Sequence, residues 1–409
     1  MTRPIRASET DACPGALRLH AAADGPLARV RLPGGMLTGA QLAELGAIAA
    51  EWGDGGLELT SRANVQLRAL NGADPAVLAA RLFAAGLLPS QTHETVRNIA
   101  APPLADAVIR GLVCALDEAL CADPALAALP GRFLFAIGEV PLAADVAALP
   151  SAGGFAILFA GHDEGLRAPA GRVVEALLSG AHAFLAERGA AEVAAWRLAE
   201  IPDGPRRIAV DVAAALHVPL TAAKPPTTAP SATTAPSATT PPSATTPPAI
   251  APLVGVVEQP DGRVAAGAIV PLGRLTAVQI KVLSDAPRLA LTASRGMVIP
   301  DLSPEAAGGW VDALAAAGLA VEADSRWSGV TACAGRPGCA KSLADVRGDA
   351  IAATRFAEGL PVHWIGCARG CGSPSGAHVR IEATPGGYAV NGKVVDGDLA
   401  EIVSAARRP

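Results

Sequence analysis

Aromatic side chains are scarce in this sequence: one tyrosine, five tryptophans and seven phenylalanines, 3% of 409 residues. That leaves little material for stacking on nucleic-acid bases. Positive charge is not in excess either. The net charge is −5, so no basic surface for a polyanion is implied and no nucleic-acid partner is expected. Although 51% of the residues are hydrophobic, no apolar run is long enough to span a membrane. The opening MTRPIRASETDACPG carries no apolar stretch of the kind found in secretory signals. No G-x-G-x-x-G follows a strand and no P-loop is present, so no nicotinamide or nucleotide site is visible. If electrons come from NAD(P)H, a partner delivers them. Seven cysteines, four of them clustered, do not read as a secreted disulfide framework. The expectation is a cytoplasmic protein in a reducing compartment.

The length allows two to four domains. Residues 14–90 read as strand, helix, strand, helix. Thr38 is placed to cap a helix through Trp52, and Asp74 with Pro75 to open another. LELTSRANVQL (57–67) reads as a single strand. Residues 91–222 hold a long helix over 105–122, strands over 133–137 and 155–159, a helix over 171–188 and a further one near 190–198. Residues 223–250, AKPPTTAPSATTAPSATTPPSATTPPAI, read as an extended, disordered tether. Residues 251–325 then repeat the order of the start. LALTASRGMVI (289–299) matches 57–67, and Ser303 with Pro304 stands where Asp74 with Pro75 stood. An internal duplication is the economical explanation.

Four cysteines in 326–409 stand in two pairs: Cys333-x5-Cys339, then twenty-seven residues, then Cys367-x3-Cys371. Glycines flank them, at Gly335, Gly338, Gly366, Gly370 and Gly372. Three readings are open: buried apolar cysteines, a structural zinc site, or a [4Fe–4S] cluster. Zinc ribbons favour x2 to x4 knuckles, so the x5 spacing fits zinc poorly. Clusters accept such spacings and use backbone amides aimed at sulfur, which glycines permit. In TSRANVQL, Thr60, Arg62, Asn64 and Gln66 share one face if the stretch is one strand. That face is either solvated or a hydrogen-bonding wall for carboxylates, with Arg62 giving planar two-point contact. Cys13, Cys114 and Cys121 show no ligand pairing and are expected in core packing. His363 and His378 flank the second cysteine pair and are expected in core or surface roles.

These residues resemble a known superfamily. C-x5-C with C-x3-C is similar to the iron–sulfur motif of sulfite and nitrite reductases. TSRANVQL carries that group's Thr, Arg, Asn and Gln in order, and Thr95-Val96-Arg97-Asn98-Ile99 with Pro102 resembles its second arginine motif. The resemblance implies an α+β fold with pseudo-two-fold symmetry. Two ferredoxin-like half-domains (1–90 and 251–325) would each be followed by a reductase-type α/β domain (91–222 and 326–409), with 223–250 as the linker. Within the group, the DACPG start and the cysteine segments resemble the precorrin-3B synthase family of aerobic cobalamin biosynthesis. That family's activity is an O2-dependent monooxygenation of precorrin-3A with lactone formation. It uses a [4Fe–4S] cluster, reducing equivalents from an external donor, here an NAD(P)H-linked reductase, and a mononuclear non-haem iron. The resemblance makes Cys333, Cys339, Cys367 and Cys371 the metal ligands and Arg62, Arg97 and Arg132 the partners of the acidic tetrapyrrole's carboxylates. Thr60, Asn64 and Gln66 add hydrogen bonds. One departure bears on the reaction. The reductases carry two basic residues after a Leu-Pro, whereas Leu129-Pro130-Gly131-Arg132-Phe133-Leu134 keeps one. A sirohaem-dependent sulfite or nitrite reductase and a non-catalytic zinc-binding module are the alternatives.

Overall fold

Two capping boxes open the two halves of the repeat. In the computed structural model, the Gln41 N–H donates to Thr38 Oγ1 at 3.1 Å and the Thr38 N–H to Gln41 Oε1 at 2.9 Å. They start the helix Gly39–Trp52. Thr276 and Gln279 repeat the arrangement at the start of the helix Ala277–Leu283. Asp74 and Ser303 cap the helices Pro75–Ala84 and Pro304–Ala316, each with proline in the first turn. The structure describes residues 13–190, 195–221, 252–259, 261–374 and 376–408. The expected tether at 223–250 lies outside the described residues. So do 191–194 of the helix expected near 190–198, and Leu198–Glu200 is a short 3-10 turn.

The two matching stretches are hairpins, not single strands. Leu57–Leu59 pairs antiparallel with Val65–Leu67, with Leu57 opposite Leu67 and Leu59 opposite Val65. Leu289–Leu291 pairs in the same way with Gly296–Leu302. The two turns share their bonds. The Thr60 N–H donates to Asn64 O at 2.9 Å and the Thr292 N–H to Gly296 O at 3.0 Å. Each threonine hydroxyl accepts from the N–H at the far side of its turn, Asn64 at 3.0 Å and Gly296 at 2.8 Å. Ala63 (φ 56) and Arg295 (φ 62) take the left-handed position. The duplication therefore extends to individual hydrogen bonds, and it aligns Arg62 with Ser294 and Ala63 with Arg295.

Contacts divide the chain into two units that do not follow chain order. One holds the described residues of Met1–His20, Arg29–Met36 and Asp74–Ala229. The other holds those of Ala21–Ala28, Leu37–Ala73 and Pro230–Pro409. In the first, a sheet runs in the order His162–Ala168, Gly154–Phe159, Val146–Ser151, Phe135–Ile137, Ile99–Ala100. Its last three strands are parallel neighbours. The helices Ala107–Ala122, Val173–Ala190 and Gly204–Leu216 contribute to the same core as this sheet, around Phe133, Phe135, Phe159 and Phe184.

In the second unit the two halves of the repeat join. Arg274–Leu275 pairs with Leu57–Leu59, so the second copy extends the sheet of the first. Helices Gly39–Trp52 and Ala277–Leu283 pack at this junction. The Gly39 N–H donates to Ala286 O at 3.0 Å, and a Cβ at Gly39 would stand 2.2 Å from Ser284 O. The unit's third sheet runs Val330–Ala332, Val362–Ile365, Val379–Thr384, Gly387–Val390, Lys393–Val395. Its first two pairings are parallel and its last two antiparallel. Trp364, fully buried, is the largest side chain of its core. Among the described residues, no helix is long and apolar enough to cross a membrane.

The close approach at Gly39 gives a stability test. Gly39→Ala forces a methyl into backbone and is expected to lower unfolding free energy by about 1–3 kcal/mol. Gly111 sits inside the helix Ala107–Ala122 with nothing near the added methyl. Gly111→Ala is expected to raise stability by roughly 0.5–1 kcal/mol. Denaturant titration of both variants against the parent measures the difference.

Candidate functional site

Parallel strands bring the cysteine pairs together. Val330–Ala332 and Val362–Ile365 lie side by side with Ala332 opposite Trp364, so both chains leave the sheet at the same edge. Loops at the carboxyl ends of adjacent parallel strands are the usual place for a site in α/β sheets. Cys333 follows the first strand directly. Cys367 follows the second after Gly366. The Cys333 N–H donates to Trp364 O at 2.8 Å. The Gly366 N–H donates to Cys333 Sγ at 3.3 Å. Glycine is required at 366, because a Cβ there would lie 1.8 Å from Ser342 Oγ.

All four cysteines are free thiols. Burial pushes the Cys333 thiol up, and hydrogen bonds from the Gly366 and Gly335 amides oppose the rise. Cys371 and Cys339 add to it, as neighbouring groups that would also be negative once ionised. Ionised together, these neighbouring thiolates would need a cation to be stable. One zinc ion with bonds of ~2.3 Å needs its sulfurs within about 4 Å of each other. Among the described residues, no group of three or more His, Cys, Asp or Glu side chains is spaced for a single metal ion. A cluster, in which each iron takes its own thiolate, is served by amides turned to sulfur, as the Gly366 amide is to Cys333. Four thiols with a backbone amide aimed at sulfur fit a [4Fe–4S] cluster. When bound, such a cluster supplies one-electron transfer.

His363 is fully buried and structural. The Cys371 carbonyl lies 3.0 Å from Nε2, and Thr331 Oγ1 lies 2.7 Å from Nδ1. The carbonyl can only accept, so Nε2 carries the hydrogen and the Thr331 hydroxyl donates to Nδ1. Burial pushes the imidazole down to about 3, which keeps it neutral. His378 is half-buried, with Nδ1 2.8 Å from Gly376 O. The other cysteines are not in the core. Cys114 is exposed, and Cys13 and Cys121 are half-buried. The reason is helical phase. Ala107–Ala122 buries Ile109, Val113, Leu116 and Leu120, and positions 114 and 121 each fall one residue past that stripe.

Because 57–67 is a hairpin, its four polar residues do not form one wall. Thr60 closes the turn, receiving the Arg62 and Asn64 amides on its hydroxyl. Asn64 is buried, at 3% exposure. Gln66 lies opposite Glu58 and donates from Nε2 to Glu58 Oε2 at 3.1 Å. Arg62 stands in the turn, half-buried. Arg97 and Arg132 belong to the other unit. Arg97 makes a two-point pair with Asp117, at 2.7 and 2.6 Å, and also donates to Leu87 O. Arg132 is exposed, with its guanidinium 4.9 Å from the Trp196 ring.

Sequence reasoning missed a second layer of charge behind the cysteine loops. Glu58, 7% exposed, lies 2.6 Å from Arg347 Nη1, 3.6 Å from Arg68 Nε and 3.9 Å from Arg274 Nη1. Its Oε1 lacks the alignment of a hydrogen bond. The short distance to Arg347 still makes this an ion pair, since Coulomb attraction does not require that alignment. Arg347 donates from Nε to Cys333 O at 3.2 Å, and Arg68 from Nη2 to Gly338 O at 2.6 Å. The available signal was a glutamate between two leucines in a strand whose three residues are all buried.

Residues 20–85 match the nitrite/sulfite reductase ferredoxin-like half domain. A ferredoxin–nitrite reductase of Leptolyngbya laminosa is 34% identical over 121 residues, which cover 27% of this chain. The match spans only 24% of that relative's length. The solved structure of the NirA protein of Mycobacterium tuberculosis superposes with a TM-score of 0.67 at 20% identity, covering 89% of this chain and 73% of that one. Residues 20–85 therefore form a half domain of the nitrite/sulfite reductase ferredoxin-like kind, and the chain shares the fold of that solved structure.

Proposed function

We propose that this chain is an oxidoreductase in which Cys333, Cys339, Cys367 and Cys371 hold a [4Fe–4S] cluster that serves a bound tetrapyrrole, and that the tetrapyrrole is its substrate. The reaction of this reading is the O2-dependent hydroxylation of precorrin-3A with lactone formation, as in precorrin-3B synthases. One oxygen atom of O2 enters the macrocycle. Two electrons and two protons take the other to water. The electrons come from an external NAD(P)H-linked reductase. The half-domain match and the fold support the oxidoreductase class.

Leu134 carries the choice of substrate. It is 2% exposed and lies in an apolar cluster with Ala100, Ala136 and Ala147. Its N–H donates to the Asp145 carboxylate at 2.8 Å. A second cation beside Arg132, which the reductases use against a small anion, would be buried here among aliphatic groups, at a cost of several kcal/mol. Arg97 is already neutralised by Asp117. A carboxylated macrocycle as substrate needs neither extra charge.

A sirohaem-dependent sulfite or nitrite reductase is the second reading. The comparisons favour it over the first, because the sequence relative named above is a nitrite reductase. Anaerobically purified protein separates the two. The synthase reading expects iron and acid-labile sulfide, no Soret band, and a mass gain of one oxygen when precorrin-3A, O2 and a reductant are supplied. A Soret band with reduction of nitrite or sulfite, and no mass gain, would overturn it.

Two substitutions test the assigned roles. Cys371→Ser is expected to abolish iron retention and turnover together, measured by iron and sulfide analysis beside the mass assay, while Cys114→Ser leaves both intact. Arg62→Ala removes a charge-assisted hydrogen bond worth about 1.5–3 kcal/mol. It is expected to raise KM by roughly 10- to 100-fold with kcat little changed.

A further inference from the structure

The carbonyl oxygens of the cysteine loops are held outward by side chains. Arg347 takes Cys333 O, Arg68 takes Gly338 O beside Cys339, and His363 takes Cys371 O. Arg295 takes Gly372 O at 3.3 Å and Arg380 takes Ala368 O at 3.0 Å. Turning these oxygens away leaves loop N–H groups to face sulfur, as the Gly366 amide does at Cys333.

The charges behind the clamps are matched except for one. Arg68 pairs with Asp24 at 2.9 Å, Arg274 with Asp54 at 2.9 Å and Arg347 with Glu58 at 2.6 Å. Arg295 has no carboxylate within ion-pair distance among the described residues, and its Nη1 is buried without a hydrogen-bond partner. Burial and then the neighbouring Arg347 push the Arg295 guanidinium down from its ordinary value, with Glu58 opposing them from beyond ion-pair distance, and it stays a cation at neutral pH. It stands against the loop of Cys371, since a Cβ on Gly372 would lie 2.8 Å from Arg295 Nη2.

We propose that Arg295, Arg347 and Glu58 are positioning residues that set the reduction potential of the cluster held by the four cysteines. Reduction adds one negative charge to the cage. Cations and amide dipoles aimed at it favour the reduced state, and a nearby carboxylate opposes it. Arg295 supplies a positive charge that no carboxylate among the described residues pairs directly. Glu58 offsets Arg347 and fixes the arginine that holds the Cys333 carbonyl. The inference rests on the cluster reading, but not on the choice between macrocycle oxidation and anion reduction.

The test is a redox titration of the full-length holoprotein followed by the EPR signal of the reduced cluster. Iron and sulfide analysis of the parent protein comes first. Zinc without sulfide there would remove the cluster reading itself, and this inference with it. Given a cluster, Arg295→Gln and Arg347→Met are expected to move the midpoint to more negative potential. Glu58→Gln is expected to move it to more positive potential, and Arg347→Lys to keep it near the parent value. A purely structural role would lower cluster content without these opposite signs. Unchanged midpoints in clusters of full occupancy, or shifts of one sign in all variants, overturn the proposal. If Arg347→Met and Glu58→Gln fail to retain iron, Arg295→Gln decides, because it removes the charge that no carboxylate pairs. An unshifted midpoint in that variant refutes the proposal.

Discussion

The parallel pairing of Val330–Ala332 with Val362–Ile365 is the constraint on which the cysteine site depends. Two parallel neighbours need a crossover between them, and residues 333–361 provide it, with the helix Val346–Ala353 inside. The crossover carries the chain back so that both strands end at one edge. Cys333 and Cys367, with thirty-three residues of sequence between them, then leave the sheet from adjacent positions. The register matters as much as the direction. Ala332 lies opposite Trp364, so the Cys333 N–H meets Trp364 O and the Gly366 amide meets Cys333 Sγ. A slip of one residue would reverse which side chains face the core, where Trp364 is fully buried.

The same edge explains why so much charge is buried behind it. Glu58, Arg68 and Arg347 have side chains at most 19% exposed. Groups of one sign gathered there would destabilise the fold, and pairing limits that cost. The pairs are also placed to act. Arg347 uses Nη1 for Glu58 and Nε for the Cys333 carbonyl, while Arg68 gives Nε and Nη2 to Asp24 and Nη2 also to the Gly338 carbonyl. Guanidinium geometry allows this double use, because its donors are fixed in a plane and point different ways. Fold stability and the electrostatics of the cysteine cage therefore depend on the same side chains.

Local chemistry was legible in the sequence and pairing between distant segments was not. Thr38 with Gln41, Asp74 with Pro75 and Ser303 with Pro304 mark helix starts by bonds within a few residues, and these ends were read correctly. The hairpin at 57–67 was hidden by its phase. Leu57, Leu59, Val65 and Leu67 keep a period of two straight through the turn, and the left-handed position is filled by Ala63 instead of a telltale glycine. The polar residues that shared a face on paper were separated by that turn. Arg97 illustrates the other limit. Its motif is readable, but its partner Asp117 lies on a helix twenty residues away, and the pair forms only in the folded chain.

The duplicated turns show how one scaffold came to serve two purposes. Both copies spend the threonine on closing the turn, and both hold the fourth turn residue in left-handed backbone. They differ in where the cation sits. The first copy carries Arg62 at the third position and alanine at the fourth. The second carries Ser294 at the third and Arg295 at the fourth. Moving the arginine by one residue changes its direction on an otherwise identical backbone. Arg295 consequently reaches the Gly372 carbonyl on the cysteine loop, while the serine at its side donates to or accepts from the turn threonine at 2.8 Å. The first copy leaves the left-handed position to alanine, which has no side chain to reach a loop, and carries its charge at the position that serine fills in the second. The two copies thus diverge at these two positions. The repeat fixes the turn, and the one-residue displacement of a guanidinium assigns the second copy to the cysteine cage.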